Sequence, residues 1–180
     1  MYSYQHRYHA GNFADIHKHL VLTAILHSFL KKETPFAVLD AFAGEGVYDL
    51  QSQESQRNKE YLQGFAALGA IPENLTLFQE INAIAGNYQG PGRSLVYPGS
   101  PAIINHYLRS QDRGIYIENH PQAYRELSRY FRDKENAHLH RRDGFEAIHG
   151  LIPFPEKRGL IFINPSYEVK QEYEIGRAHV

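Results

Sequence analysis

The tetrapeptide Asn164-Pro165-Ser166-Tyr167 follows an apolar run, Gly159-Leu160-Ile161-Phe162-Ile163, and carries groups suited to chemistry on a weakly nucleophilic amine. The exocyclic nitrogen of adenine is such an amine, because its lone pair is delocalised into the ring. An amide oxygen on Asn164 and the carbonyl of Pro165 can accept its two N–H hydrogens. That favours a tetrahedral nitrogen whose lone pair points at a methyl donor. Proline fixes the turn without a competing donor, and Tyr167 can stack on a base swung out of its helix. A plain Asn-Pro turn leaving a strand has the same letters.

Three further places carry similar promise, each with an ordinary alternative. The loop Asp40-Ala-Phe-Ala-Gly-Glu-Gly46 lacks the third glycine of a dinucleotide fingerprint and the Lys-Ser/Thr ending of a P-loop. An acid closing a strand before such a loop suits a cationic ligand without a diphosphate, and S-adenosylmethionine fits; a bare strand-to-helix turn fits equally. Glu118 can accept both hydroxyl hydrogens of a ribose, or cap the helix that follows it. Asp143 beside Gly144 can accept from an adenine amine, or cap a helix, and the two roles are compatible.

These residues must be held by elements that the apolar pattern outlines. Helices are expected over 14–31, near 60–69 and 73–88, and over 121–131 and 143–149. Strands are expected over 36–40, 114–118, 137–140 and 159–163, and a mobile loop over the polar stretch 51–59. Tyr97-Pro98-Gly99-Ser100-Pro101 reads as a tight turn in which Ser100 caps a helix starting at Pro101. Strands alternating with helices imply a parallel, twisted α/β sheet covered on both faces. Ligands bind beyond the carboxyl ends of such strands, and Asp40, Glu118, Asp143 and Asn164 all fall there. Asp40 and Glu118 lie much further apart than in a dinucleotide fold, so residues 47–110 are read as an insertion between the first and second strands.

Composition narrows the partners. The 180 residues suit one domain, and the absence of cysteine excludes disulfides and thiolate metal sites. A net charge of -1 argues against a general polyanion binder, although Arg7, Lys18, Lys31 and Lys32 face only one acid, Asp15, in the first 32 residues. The 11 histidines are scattered and suggest no metal site. No apolar run reaches the ~20 residues of a membrane span, and no signal-peptide pattern opens the chain; a cytoplasmic location is expected.

The loop 40–46, Glu118, Asp143 and Asn-Pro-Ser-Tyr resemble, in order, the motifs of class I methyltransferases acting on amino groups. The run from Tyr4 to His19 (YQHRYHAGNFADIHKH), with Tyr97 to Pro101 and Arg142-Asp-Gly-Phe145, is more specific. It resembles the bacterial 23S rRNA adenine-N6 methyltransferase family known as RlmJ, which has also carried a label concerning use of external DNA as a nutrient. The resemblance runs to about Tyr173. It implies cofactor contacts at Lys18, His19, Phe42, Ser100, Glu118, Asp143, Gly144 and Asn164, catalysis by Asn164, Pro165 and Tyr167, and RNA contacts at Tyr4 and Tyr167. Two motifs depart from the family: Phe42 replaces a histidine, and Asn164-Pro165-Ser166-Tyr167 replaces Asp-Pro-Pro-Tyr.

The resulting expectation is the front part of a Rossmann-like class I methyltransferase sheet with a helical insertion. It would use S-adenosyl-L-methionine and no metal to methylate adenine N6 in 23S rRNA, protein-free or in an early precursor, as a monomer. DNA adenine-N6 methylation and a non-catalytic nucleic-acid-binding role are the alternatives; an oxidoreductase is disfavoured by the glycine pattern. Residues 1–174 are read as a partial methyltransferase domain and 175–180 as a non-native tail. A truncated chain of that kind is expected to be poorly soluble and inactive.

Overall fold

The computed structural model describes residues 5–67 and 75–165. Helix α1 (Phe13–Leu30) starts where the Asn12 side chain accepts a hydrogen bond from the Asp15 amide, at 3.0 Å. It buries Ile16, Leu22 and Leu26 in the larger hydrophobic core.

The main sheet has four parallel strands: β1 (Ala37–Asp40), β4 (Arg113–Ile117), β5 (Ala137–His140) and β6 (Gly159–Phe162), in the order β5-β4-β1-β6. Asp40 is in register with Tyr116 on one side and Phe162 on the other, so these strands end level. Alternate residues of β1 enter different cores. Val38 joins the cluster under α1, α4 (Ser100–Tyr107) and α5 (Pro121–Phe131), with Ile103, Tyr116 and Phe131. Leu39 joins Ile115, Ile117 and Ala147 under α6 (Gly144–Leu151). Both faces of the sheet are therefore covered, as expected for a parallel sheet.

Between β1 and β4 the chain is mainly helical, with α2 (Gln53–Asn58), a 3-10 turn (Glu60–Gln63), α3 (Thr76–Gly86) and α4. It also contains an antiparallel ribbon, β2 (Val47–Asp49) with β3 (Val96–Pro98), that the sequence pattern does not announce. The stretch expected as a mobile loop over 51–59 is instead mostly α2, with Ser52 Oγ accepting from the Ser55 amide at 3.3 Å and Lys59 closing it in the left-handed region. The helix expected near 60–69 is only the short 3-10 turn, then a turn at 64–65 and 3-10 structure again at 66–67; residues 68 and 69 lie outside the described residues. Ser100 does not cap α4: Gly99 occupies that position and no side-chain cap forms. Among the described residues, no helix is long and apolar enough to cross a membrane.

Candidate active site

The loop after β1 passes under the strand ends with Gly44 at φ +62° and Gly46 at φ +76°, both in the left-handed region. Close packing adds to the demand for glycine. A Cβ on Gly44 would lie 2.2 Å from the Tyr48 hydroxyl, and one on Gly46 2.5 Å from the Phe131 ring. The Gly44 amide donates to Glu118 Oε2 at 2.9 Å, and the His120 amide donates to Oε1 at 2.6 Å. Glu118 thus braces two backbone segments and is not the cap of α5, which is His120. Burial raises the Glu118 pKa against the pull of those amides.

A cavity of about 520 Å³ opens over these strand ends. Lys18, His19, Phe42, Ser100, Glu118, Asp143, Gly144, Asn164 and Pro165 all line it, from six separate stretches of chain. Tyr4 and Tyr167 lie outside the described residues. Phe42 and Phe145 meet edge to face at 5.0 Å and form an apolar wall. Asp143 caps α6, its Oδ1 accepting from the Phe145 and Glu146 amides at 2.9 and 3.0 Å. Gly144 allows a close crossing, because a Cβ there would lie 2.2 Å from the Ala41 carbonyl oxygen.

Asp40 departs from expectation. Its side chain is fully buried and does not line the cavity, so it cannot meet a ligand there directly. Burial raises its pKa to about 7, opposed by the Ser100 hydroxyl and the Phe42 amide. Its Oδ2 has no hydrogen-bond partner among the described residues. Ser100, between helix start and strand end, therefore serves the β1 carboxyl rather than its own helix.

At the other end of the cavity, Lys18 Nζ donates to Asn164 Oδ1 at 3.1 Å and pairs with Asp15 Oδ1 at 3.0 Å. His19 is buried, its Nδ1 2.5 Å from the Tyr97 hydroxyl, which leaves Nε2 for the cavity the ring lines. Burial lowers its pKa to about 4, so the imidazole is neutral at physiological pH. The Arg7 Nε donates to Glu45 Oε1 at 2.8 Å and its Nη1 to Glu54 Oε1 at 2.9 Å, tying the segment before α1 to the glycine loop and α2. Arg7, Glu45, Tyr48, His120 and Phe145 line the site without having been singled out for it from sequence. Their spacing follows no single motif, and only the folded chain brings them together. Among the described residues no group of three or more His, Asp or Glu side chains could hold a metal ion.

A parallel sheet wound on both faces, with a glycine loop after its first strand and acids at successive strand ends around one cavity, defines the Rossmann-like methyltransferase fold. Residues 33–178 match the family model described as "Ribosomal RNA large subunit methyltransferase D, RlmJ". The chain belongs to that family. It is 38% identical over 177 residues to "Ribosomal RNA large subunit methyltransferase J" of Escherichia coli, covering 97% of this chain and 62% of that protein. The protein of the same name from Haemophilus influenzae is 38% identical over 178 residues, covering 97% and 63%. A crystal structure of a Legionella pneumophila protein superposes with a TM-score of 0.82 at 38% identity, covering 92% of this chain and 61% of that one. The chain thus spans about three fifths of the length of the relatives it matches.

Proposed function

We propose that this chain supplies the cofactor cavity and the amine-orienting residues of an enzyme that transfers a methyl group from S-adenosyl-L-methionine to N6 of an adenine in 23S rRNA. The observation that carries the reading is the convergence of Lys18, His19, Glu118, Asp143, Gly144 and Asn164 on one cavity from widely separated stretches of chain. The relatives named as ribosomal RNA large subunit methyltransferases support the substrate class. The fit to the cofactor rests on the donor set: half-buried Glu118 for ribose hydroxyls, Asp143 Oδ2 for a base amine, and the Phe42–Phe145 wall for a purine face. A volume of about 520 Å³ falls within the usual range for small-molecule sites.

When bound, the cofactor supplies an electrophilic methyl group. The protein's part is alignment and polarisation. Asn164 Oδ1 and the Pro165 carbonyl accept the N–H hydrogens of the amine and orient its lone pair. Tyr167 stacks on the extruded base and Tyr4 contacts the RNA. The substrate is rRNA free of protein or in an early precursor, met by a monomer in the cytoplasm. Residues 1–174 form part of the methyltransferase domain, with 47–110 as its insertion.

The test, on a chain extended to the length of its relatives, is transfer of labelled methyl groups to unmodified 23S rRNA, with duplex DNA in parallel and the product located by mass spectrometry. N6-methyladenine in the rRNA supports the reading. Labelling of DNA alone would replace it with DNA methylation, and nucleic-acid binding without any transfer with a non-catalytic role.

A further inference from the structure

Neither the sequence motifs nor the family resemblance assigns Asp15 to the site, yet three groups converge on its carboxylate. Oδ2 accepts from the Gly11 amide at 3.0 Å and lies 2.9 Å from His6 Nε2, while Oδ1 pairs with Lys18 Nζ at 3.0 Å. The side chain is 1% exposed. Burial would raise its pKa, but the charge and hydrogen bond of His6 and the Lys18 ammonium outweigh that and hold the carboxyl well below its usual range. An ionised acid in the first turn of α1 also has the helix dipole in its favour.

What this anchor holds is the ammonium that meets Asn164. Lys18 offers only hydrogens, so Asn164 must turn its amide oxygen, not its NH₂, toward Nζ at 3.1 Å. The oxygen has two lone pairs. Lys18 takes one, and the other remains for a substrate N–H. A lysine side chain that is one third exposed has many rotamers open to it, and the buried carboxylate selects among them.

We propose that Asp15 is a positioning residue for methyl transfer, anchoring the Lys18 ammonium against Asn164 Oδ1 and so fixing which end of the Asn164 amide meets the substrate amine. This rests on the adenine-N6 reading of the site. The competing account makes Asp15 a purely structural clasp for Gly11 and His6 at the start of α1.

A double-mutant cycle separates the two. Asp15→Asn keeps the shape and an acceptor for the Gly11 amide. It should lower kcat on the order of 100-fold, as expected for a misplaced reacting geometry, with a smaller change in KM for rRNA. Lys18→Met should cause a similar loss, and the double variant should be no worse than Lys18→Met. Losses that multiply, or a crystal structure of Asp15→Asn in which Lys18 Nζ stays on Asn164 Oδ1, overturn the proposal. If Asp15→Asn does not fold, Asp15→Glu, which keeps the charge on a longer stem, must give the same coupled loss. Should the wild type transfer no methyl group at all, the reading of the site fails, and the crystal structure alone judges whether Asp15 holds Lys18 on Asn164.

Discussion

The Asn164 oxygen has two claims on it: the Lys18 ammonium at 3.1 Å and, in the proposed reaction, an adenine N–H. If it orients the amine without removing a proton, Asn164→Ala should lose turnover by about 10²–10³-fold, the scale of one lost transition-state partner. Calorimetry should find S-adenosylhomocysteine binding near wild type in that variant. Asn164→Asp should match or exceed wild-type turnover, because a carboxylate accepts more strongly. Normal turnover in Asn164→Ala would remove the residue from the mechanism. Residues of this kind were legible in the sequence because strand-end position is itself a signal: Glu118 and Asn164 each close an apolar run, and Asp143 follows the next strand after two arginines. Asp15 was not. In sequence it is one acid in a helix's first turn, and its importance comes from His6, Gly11 and Lys18, which only the fold brings to it. Ser100 was misread because a serine before proline is a good cap on local grounds, whereas its hydroxyl serves the buried Asp40.

Where α6 crosses the glycine loop, two elements of the site depend on one missing side chain. A Cβ on Gly144 would lie 2.2 Å from the Ala41 carbonyl oxygen and 3.0 Å from the Phe42 ring. Backbone cannot yield as a flexible side chain can. Gly144→Ala should therefore push the start of α6, with Asp143 as its cap, away from the loop. The expected cost is about 1–3 kcal/mol of stability, with weaker S-adenosylhomocysteine binding by calorimetry. Gly150→Ala, in the same helix, is the control: its Cβ would approach nothing nearer than the Arg142 guanidinium at 3.5 Å, and alanine is the better helix former. Equal effects of both substitutions would mean that helix propensity, not the crossing, decides. At this scale the long elements were readable, since α1 and α5 have enough turns for their apolar spacing to show. The β2/β3 ribbon has three residues per strand, too few for alternation to register. α2 is polar and carries no apolar stripe; it is held by its Ser52 cap and by Arg7 bonding to Glu54, neither of which is a periodic signal.

The doubly wound sheet as a whole followed from strands alternating with helices, but its two flanks and its interior charges are set by the folded chain. Among the described residues β6 pairs only with β1, and Ile161 and Ile163 are 37% and 40% exposed on that strand and just beyond it. An apolar strand at a sheet edge invites pairing between molecules. Ile161→Lys should then reduce concentration-dependent light scattering by the 180-residue chain without lowering its melting temperature; unchanged scattering would place the association elsewhere. The interior poses a different question, because Asp40 lies fully buried in the central strand with its pKa raised by burial to about 7. Its ordinary value is 3.8, so between about pH 4 and pH 7 the folded state holds a proton that the unfolded state has released. Stability must therefore fall as pH rises through that window, and the penalty is complete above pH 7. His19 works in the opposite sense. Its pKa is lowered to about 4 from 6.5, so across that range the unfolded state binds the extra proton and stability rises with pH. The two slopes overlap and partly mask each other in the wild type. Asp40→Asn removes one of them while keeping an acceptor for the Phe42 amide, which now bonds Asp40 Oδ1 at 3.3 Å. Denaturant melts of both proteins from pH 4 to 7 should show the variant gaining on the wild type by up to about 1.4 kcal/mol per pH unit. A difference that stays constant across the window would mean that Asp40 is ionised throughout in the folded protein.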